Sequence, residues 1–263
     1  MNNLSSRFLA KLCWVINYNF TNQKYQKETL LECDEIVKIQ EIQPINDSGV
    51  ELIMFGLTTK SHSNINLVVF KSSDSKEDWE TNYDFRLVPM KPSPTCCFGC
   101  AGMFSSEPFV HRGFLDQYNI INTKLSRFLH SRKDSSFTIF TGFSLGGALA
   151  TLASCLCDVP NIYTFTFGSP KVGNSNFVKT FTENKAIRYS ERWVFQNDPI
   201  PRLPPGNIYK HIPGFKMVRK DSDQIYEVEN CYWKYLSRSA REDHDIIKFL
   251  LKISDKPLHF YSI

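Results

Sequence analysis

Residues 138–151 read TIFTGFSLGGALAT and contain the pattern Gly-x-Ser-x-Gly at Gly142, Ser144 and Gly146. An apolar run rich in β-branched residues precedes the pattern and predicts a strand, and the small-residue run after it predicts a helix. A serine on a sharp strand-to-helix turn needs small neighbours, because the strained backbone there passes close to other elements. The three fixed positions alone are also compatible with an ordinary tight turn. In this setting they predict a nucleophile elbow with Ser144 as the nucleophile.

The segments around this elbow predict an α/β architecture. Two apolar runs, 51–59 and 65–73, flank a short polar turn and predict adjacent strands. The sequence then predicts an amphipathic helix, whose apolar stripe is Phe114, Tyr118, Ile121, Leu125 and Phe128. A strand over 135–143, a helix and a strand over 161–170 follow and predict a parallel crossover unit. A further strand is expected over 186–195 and a closing helix over 241–253.

Length and composition indicate one globular domain spanning residues 1–263. The 42% hydrophobic and 22% charged residues are close to the averages of folded proteins. Residues 1–50 carry no recognisable motif and are expected to cover the sheet. The net charge of +4 is small and its Lys and Arg residues are scattered, which argues against nucleic-acid binding.

Hydropathy and cysteine usage bear on the compartment. No run approaches the ~18 apolar residues that span a bilayer, and no cleavage pattern follows the short apolar N-terminal stretch. The eight cysteines are therefore interpreted as reduced thiols. A cytoplasmic or peripheral location is favoured, and secretion is the alternative.

A nucleophilic serine needs a histidine to accept its proton and a carboxylate to orient that histidine. In α/β-hydrolases both partners follow the serine, the acid first. Asp198 fits as the acid because it lies at a predicted strand end before Pro199, although Asp221 and Asp223 also follow.

Three histidines lie downstream of Asp198: His211, His244 and His259. His211 follows the proline-rich loop closely, and His259 lies near the end of the chain, where residues tend to fray. His244 is expected at the start of a predicted helix, a rigid element that can hold its ring. His244 is therefore the predicted base.

Several motifs together resemble class 3 lipases, the fungal-lipase-like family of triacylglycerol lipases, over Asn66–Leu250. These are NLVVFKSSDSKEDW (66–79), VHRGFLDQY (110–118), GFSLGGALA (142–150), TFGSPKVGN (166–174), NDPIPRLPP (197–205) and EDH (242–244). The resemblance implies an α/β-hydrolase fold, with a mostly parallel central sheet and helices on both faces. It implies a triad of Ser144, Asp198 and His244, and hydrolysis of acylglycerols or other acyl-ester lipids without a cofactor. It also implies an oxyanion hole formed by the N–H groups of Ser73 and Leu145.

The chain departs from the family pattern at several positions. Lys71 and Ser72 replace Arg-Gly before the oxyanion residue, Phe143 replaces the histidine before the nucleophile, and Asn82 replaces an aspartate. These changes keep a second hypothesis open, a lipase-like binding or scaffold protein without turnover.

The segment between Trp79 and His111 is longer than its family counterpart. Its apolar part, within 86–109, is interpreted either as a lid that binds a membrane or lipid-droplet surface or as a packed loop. The C-x-x-C formed by Cys97 and Cys100 has no second pair at zinc-finger spacing, so no metal is expected.

Overall fold

The computed structural model describes residues 4–62, 64–72, 85–90, 107–220, 224–227, 244–256 and 258. Two helices, α1 (Ser6–Tyr18) and α2 (Gln23–Leu31), precede a run of strands: β1 (Ile36–Asp47), β2 (Val50–Thr59), β3 (Ile65–Phe70), β4 (Leu87–Pro89) and β5 (Phe109–His111). Strands and helices then alternate: α3 (Arg112–Ser131), β6 (Phe137–Phe143), α4 (Leu145–Leu156), β7 (Ile162–Phe167), α5 (Ser175–Glu183) and β8 (Ile187–Phe195). A 3₁₀ turn (Ile200–Arg202), β9 (Phe215–Val218) and α6 (Ile246–Lys252) complete the described elements.

The central sheet has the strand order β1-β2-β3-β6-β7-β8-β9 within the described ranges. The pairs β1/β2 and β2/β3 are antiparallel, and every pair from β3/β6 to β8/β9 is parallel. The sheet is therefore mostly parallel, and the predicted α/β-hydrolase fold is confirmed.

Successive residues of a strand point to opposite faces of the sheet, so both faces carry apolar side chains. Helices cover both of these faces. On one face, Ile53 and Phe55 of β2 join a core that includes residues of α1 and α6. On the other face, Leu52 and Met54 join a core that includes residues of α3, α4 and α5. The sheet thus lies between two apolar layers.

The N-terminal residues add to the sheet as well as covering it. Helix α1 buries one side against the sheet, but residues 36–47 form β1, an edge strand that the sequence pattern did not predict. Register shifts between Ile36 and Lys38 and between Ile39 and Glu41 interrupt the alternation by which a strand is recognised. Most of the strand is also exposed or half-buried, so its apolar signal is weak.

A small second sheet bears on the predicted lid. Strands β4 and β5 pair antiparallel, with Leu87 opposite His111 and Pro89 opposite Phe109. This pairing holds the described residues on the two sides of 91–106 close together. Residues 91–106 themselves lie outside the described residues. Whether that segment is a lid therefore stays a prediction.

The carboxyl ends of the parallel strands meet at one edge of the sheet, where open α/β sheets place their sites. The residues after β3, β6, β7 and β8 lie along this edge, and they include Ser144 after β6 and Asp198 after β8.

Candidate active site

Ser144 occupies the sharp turn between β6 and α4. Its backbone has φ 56° and ψ −124°, a conformation that is rare for residues other than glycine. A Cβ on Gly142 would lie 2.3 Å from the carbonyl carbon of Gly146, and a Cβ on Gly146 would lie 2.3 Å from the carbonyl oxygen of Phe70. Because a side chain at either position would clash with backbone, the pattern serves the turn that presents Ser144.

The histidine and aspartate that were selected from the sequence lie next to this serine. The His244 Nε2 and Ser144 Oγ atoms are 2.8 Å apart, and His244 Nδ1 is 2.9 Å from both Asp198 carboxylate oxygens. Ser144 and Asp198 are almost fully buried, at 2% and 1% exposure. The three side chains therefore form one continuous hydrogen-bonded chain.

Asp198 is held by the loop that follows β8. Its backbone N–H donates to the carbonyl of Phe195, and its Oδ1 accepts from the N–H of Ile200, at 2.9 Å. Burial lowers the pKa of the nearby Arg202 guanidinium, and the charge of Asp198 opposes that shift. The carboxylate is thus fixed by short local contacts and faces a neighbouring cation.

The position of His244 differs in one respect from the expectation. Helix α6 begins at Ile246 with Asp245 as its cap, so His244 precedes the helix instead of opening it. The side chain of Asp245 accepts from the N–H of Ile247, the bond by which a cap residue fixes a helix start. The rigid element still lies next to the imidazole, two residues away.

Two residues shape the space around the imidazole. The Phe143 ring stacks on His244 with centroids 4.5 Å apart and an interplanar angle of 22°, and it meets Phe249 of α6 edge-on. A Cβ on Gly168 would lie 2.8 Å from Asp198 Oδ2 and 3.2 Å from His244 Cε1. The sequence marked Phe143 only as a departure from the family and did not identify Gly168, whose sole signal is its place directly after a strand.

His211 is not part of this hydrogen-bonded chain. Its Nε2 lies 2.6 Å from the carbonyl oxygen of Pro201. Burial, reinforced by the charge of Arg192, lowers the pKa of His211 well below its ordinary value. The residue therefore supports the loop behind Asp198, and His259, the third histidine considered, lies outside the described residues.

The predicted oxyanion donors are described only in part. Leu145 is the first residue of α4, where a backbone N–H has no acceptor within its own helix. Ser73 lies outside the described residues, as do Asn82 and the three cysteines at 96, 97 and 100. Of the chain leading to Ser73, Lys71 and Ser72 are described, and the Ser72 N–H donates to Asn17 Oδ1 at 2.9 Å.

Metal ligation and membrane spanning can be judged for the described part of the chain alone. No group of three or more His, Cys, Asp or Glu residues in it is arranged to hold a metal ion. No helix in the same ranges is both long and apolar enough to cross a membrane.

A mostly parallel sheet between two helical layers, with a serine elbow at its carboxyl edge, places the chain in the α/β-hydrolase fold class. The family model "Lipase (class 3)" matches residues 67–208, more than half of the chain. The chain therefore belongs to the class 3 lipase family.

Individual relatives agree with this assignment. A secreted mono- and diacylglycerol lipase of Fusarium solani is 32% identical over 146 residues, covering 53% of this chain and 39% of that protein. A Rhizomucor miehei lipase is 32% identical over 152 residues, covering 52% of this chain and 37% of the relative. The solved structure of lipase II from Rhizopus niveus has a TM-score of 0.65 at 19% identity and covers 90% of both chains, which shows the shared fold. The matched regions thus span well under two thirds of the sequence relatives.

Proposed function

We propose that this chain is a serine carboxylester hydrolase that cleaves acyl esters of glycerolipids through an acyl-enzyme. The observation that carries the proposal is the hydrogen-bonded chain from Ser144 through His244 to Asp198. A serine hydroxyl is a weak nucleophile unless a base within hydrogen-bond reach accepts its proton. At 2.8 Å from Ser144 Oγ, His244 Nε2 meets that requirement.

Each member of the triad has a defined step. Ser144 Oγ attacks the ester carbonyl while His244 accepts its proton, and His244 then gives that proton to the departing alcohol. Water next attacks the acyl-enzyme with His244 again as the base, which releases the fatty acid and restores Ser144. Asp198 keeps the Nδ1 side of the imidazole protonated and stabilises the imidazolium that forms at each step.

The negative charge that develops on the carbonyl oxygen needs hydrogen-bond donors. We assign this role to the N–H groups of Leu145 and Ser73. Leu145 opens helix α4, whose dipole also favours negative charge at that end. Loss of one oxyanion donor typically costs about 3 to 4 kcal/mol of transition-state stabilisation, so the placement of both donors largely sets the rate.

Acylglycerols are the proposed substrate class. Family membership and the Fusarium solani relative, named as a mono- and diacylglycerol lipase, support this choice. The enzyme would meet such substrates at a membrane or lipid-droplet surface, in a cytoplasmic or peripheral location or, as the alternative, after secretion. Phospholipids and soluble esters would use the same triad and differ in pocket shape.

Ester hydrolysis by wild type and Ser144→Ala tests the proposal. Short- and long-chain p-nitrophenyl esters and emulsified triolein are the substrates, and Ser126→Ala, on an exposed part of α3, is the matched control. We expect the Ser144→Ala rate to fall by about 10⁴-fold or more and the Ser126→Ala rate to stay near wild type. Equal inactivity of folded wild type and Ser144→Ala on every ester would favour the scaffold hypothesis, which the replacements at 71, 72, 82 and 143 keep open.

A further inference from the structure

The chain that leaves β3 is fixed at its first residue. The backbone N–H of Lys71 donates to the carbonyl of Glu51 at 2.9 Å, and the Lys71 ammonium forms an ion pair with the Glu51 carboxylate. Both side chains are largely buried, at 10% and 19% exposure. Lys71 is therefore tied to the start of β2 by backbone and side chain together.

The next residue is tied to a different element. The N–H of Ser72 donates to the side-chain oxygen of Asn17, 2.9 Å away, near the carboxyl end of α1. Cys13 and Ile16 on the same helix are fully buried in the core. The acceptor for Ser72 is thus carried by a helix that is itself held firmly against the sheet.

The elbow contacts the same short stretch from the other side. A Cβ on Gly146 would lie 2.3 Å from the carbonyl oxygen of Phe70 and 3.0 Å from that of Lys71. The end of β3 is therefore held between the amino end of α4, which begins at Leu145, and the side chain of Asn17.

We infer that Asn17 is a positioning residue for the oxyanion hole, an inference that rests on the proposed function. In that function the N–H of Ser73 is one donor and the N–H of Leu145 is the other. The hydrogen bond to Asn17 holds the amide of Ser72, one residue before the proposed donor Ser73. It holds that amide in place relative to the elbow, which carries the other donor, Leu145. Ser72 stands where the resembled family has glycine, and its backbone N–H is held by a side-chain acceptor from α1.

The loss of Asn17 should affect the rate because the distance between an oxyanion donor and the developing charge must lie in a narrow range. Oxyanion donors act at 2.7–3.1 Å from the developing charge, and a displacement of ~1 Å at an active site can cost about 100-fold in rate. Because Asn17 acts on the chain before the donor and not on the substrate, its loss should reduce kcat and leave KM nearly unchanged.

Two substitutions at this position separate the hydrogen bond from the bulk of the side chain. Asn17→Leu keeps the size and removes the acceptor, and Asn17→Asp keeps an acceptor oxygen. With p-nitrophenyl butyrate, and with active sites counted by end-point phosphonate titration, we expect kcat of Asn17→Leu to fall roughly 10- to 100-fold while KM stays within about twofold. Asn17→Asp should stay within about threefold of wild type.

Asn22→Leu is the matched control, since the Asn22 side chain accepts from the N–H of Tyr25 and caps α2. Its kcat should remain near wild type.

A trifluoromethyl ketone, which forms a tetrahedral oxyanion on the serine, provides a second readout. Its inhibition constant should rise for Asn17→Leu by the factor by which kcat/KM falls, an outcome that simple destabilisation of α1 would not produce.

Two results would overturn the inference: a kcat per active site of Asn17→Leu within twofold of wild type, or an equal loss in Asn17→Asp and Asn17→Leu. Failure of the proposed function has a different signature, because wild type would then be no more active than Ser144→Ala, and the inference would fall with it.

Discussion

Gly168 determines how closely β7 can approach the acid and the base. Its φ is +57°, and the space that a Cβ would occupy is bounded by Asp198 Oδ2, His244 Cε1 and the Phe143 ring. A side chain there would press on the two groups whose separation sets the hydrogen bond of the triad. Gly168 thus meets a conformational and a steric requirement together.

Alanine substitutions at two glycines separate these requirements. Gly206 has φ +82°, and a methyl group added there would meet nothing within 4 Å, so Gly206→Ala adds backbone strain alone. We expect each variant to lose about 1 kcal/mol of stability from that strain. Only Gly168→Ala should also lose activity, by roughly 10- to 100-fold in kcat. Urea unfolding and esterase kinetics measure the two effects, and equal kcat values for the two variants would argue against the steric role.

The sequence predicted the polar site residues better than their surroundings. Ser144, Asp198 and His244 could be selected from motif, chain order and predicted strand ends, and the structure brings these three together. Gly168, Asn17 and the stacking of Phe143 could not be selected in this way. Each acts through close approach of segments far apart in the chain, which no local pattern encodes.

At the scale of elements, the acid loop depends on His211. Its ring contacts the carbonyl of Pro201 in the 3₁₀ turn that follows Asp198. Because its pKa is lowered well below 6.5, the folded protein keeps His211 neutral at pH values where the unfolded chain binds a proton. Stability is therefore lost as the pH falls below about 6.5, by up to about 1.4 kcal/mol per pH unit, until the folded-state pKa is reached.

His211→Gln tests this contribution, because glutamine can donate to the same carbonyl and does not titrate. We expect the free energy of unfolding of the variant to fall less steeply than that of wild type between roughly pH 6.5 and 5. Urea titrations at several pH values measure both curves. Parallel curves over that range would show that His211 does not cause the acid sensitivity.

Several elements with strong periodicity were predicted from the sequence, but the elements that were not predicted include α1, α2, α5, β1, β4, β5 and β9. The stripe from Phe114 to Phe128 predicted α3, and the apolar runs predicted β2, β3, β6, β7 and β8. Strand β1 escaped because its register shifts break the alternation, and β9 because it has only four residues. Their pairing is determined by the neighbouring strands more than by their own sequence.

At the scale of the molecule, we propose that residues 1–263 fold as one unit. Ser6 at the start of α1 donates to the buried Glu191 carboxylate on β8, which also accepts from Tyr189 and Trp193. The N–H of Leu258 donates to the carbonyl of Leu4. These contacts join the start of the described chain to β8 and to the last described residue.

Leu12→Ala tests this unity. Leu12 of α1 is fully buried in the core that also contains residues of α6, and its truncation should cost about 2 to 5 kcal/mol. Leu31→Ala, at a residue 58% exposed, should change stability by less than about 0.5 kcal/mol. In one cooperative unit, Leu12→Ala shifts the urea midpoints of far-UV circular dichroism and of enzyme activity together. A shift in only one of them would indicate that the N-terminal helices unfold separately.

The most direct test of the assigned nucleophile is covalent labelling by a fluorophosphonate, located by peptide mass spectrometry. Ser144 Oγ would attack phosphorus and displace fluoride, a step that needs His244 to accept the proton. We predict one phosphonylated residue, Ser144, with no labelling in Ser144→Ala and a rate at least about 100-fold lower in His244→Ala. Labelling at another residue, or equal labelling of folded wild type and Ser144→Ala, would contradict the assignment of Ser144 as the nucleophile.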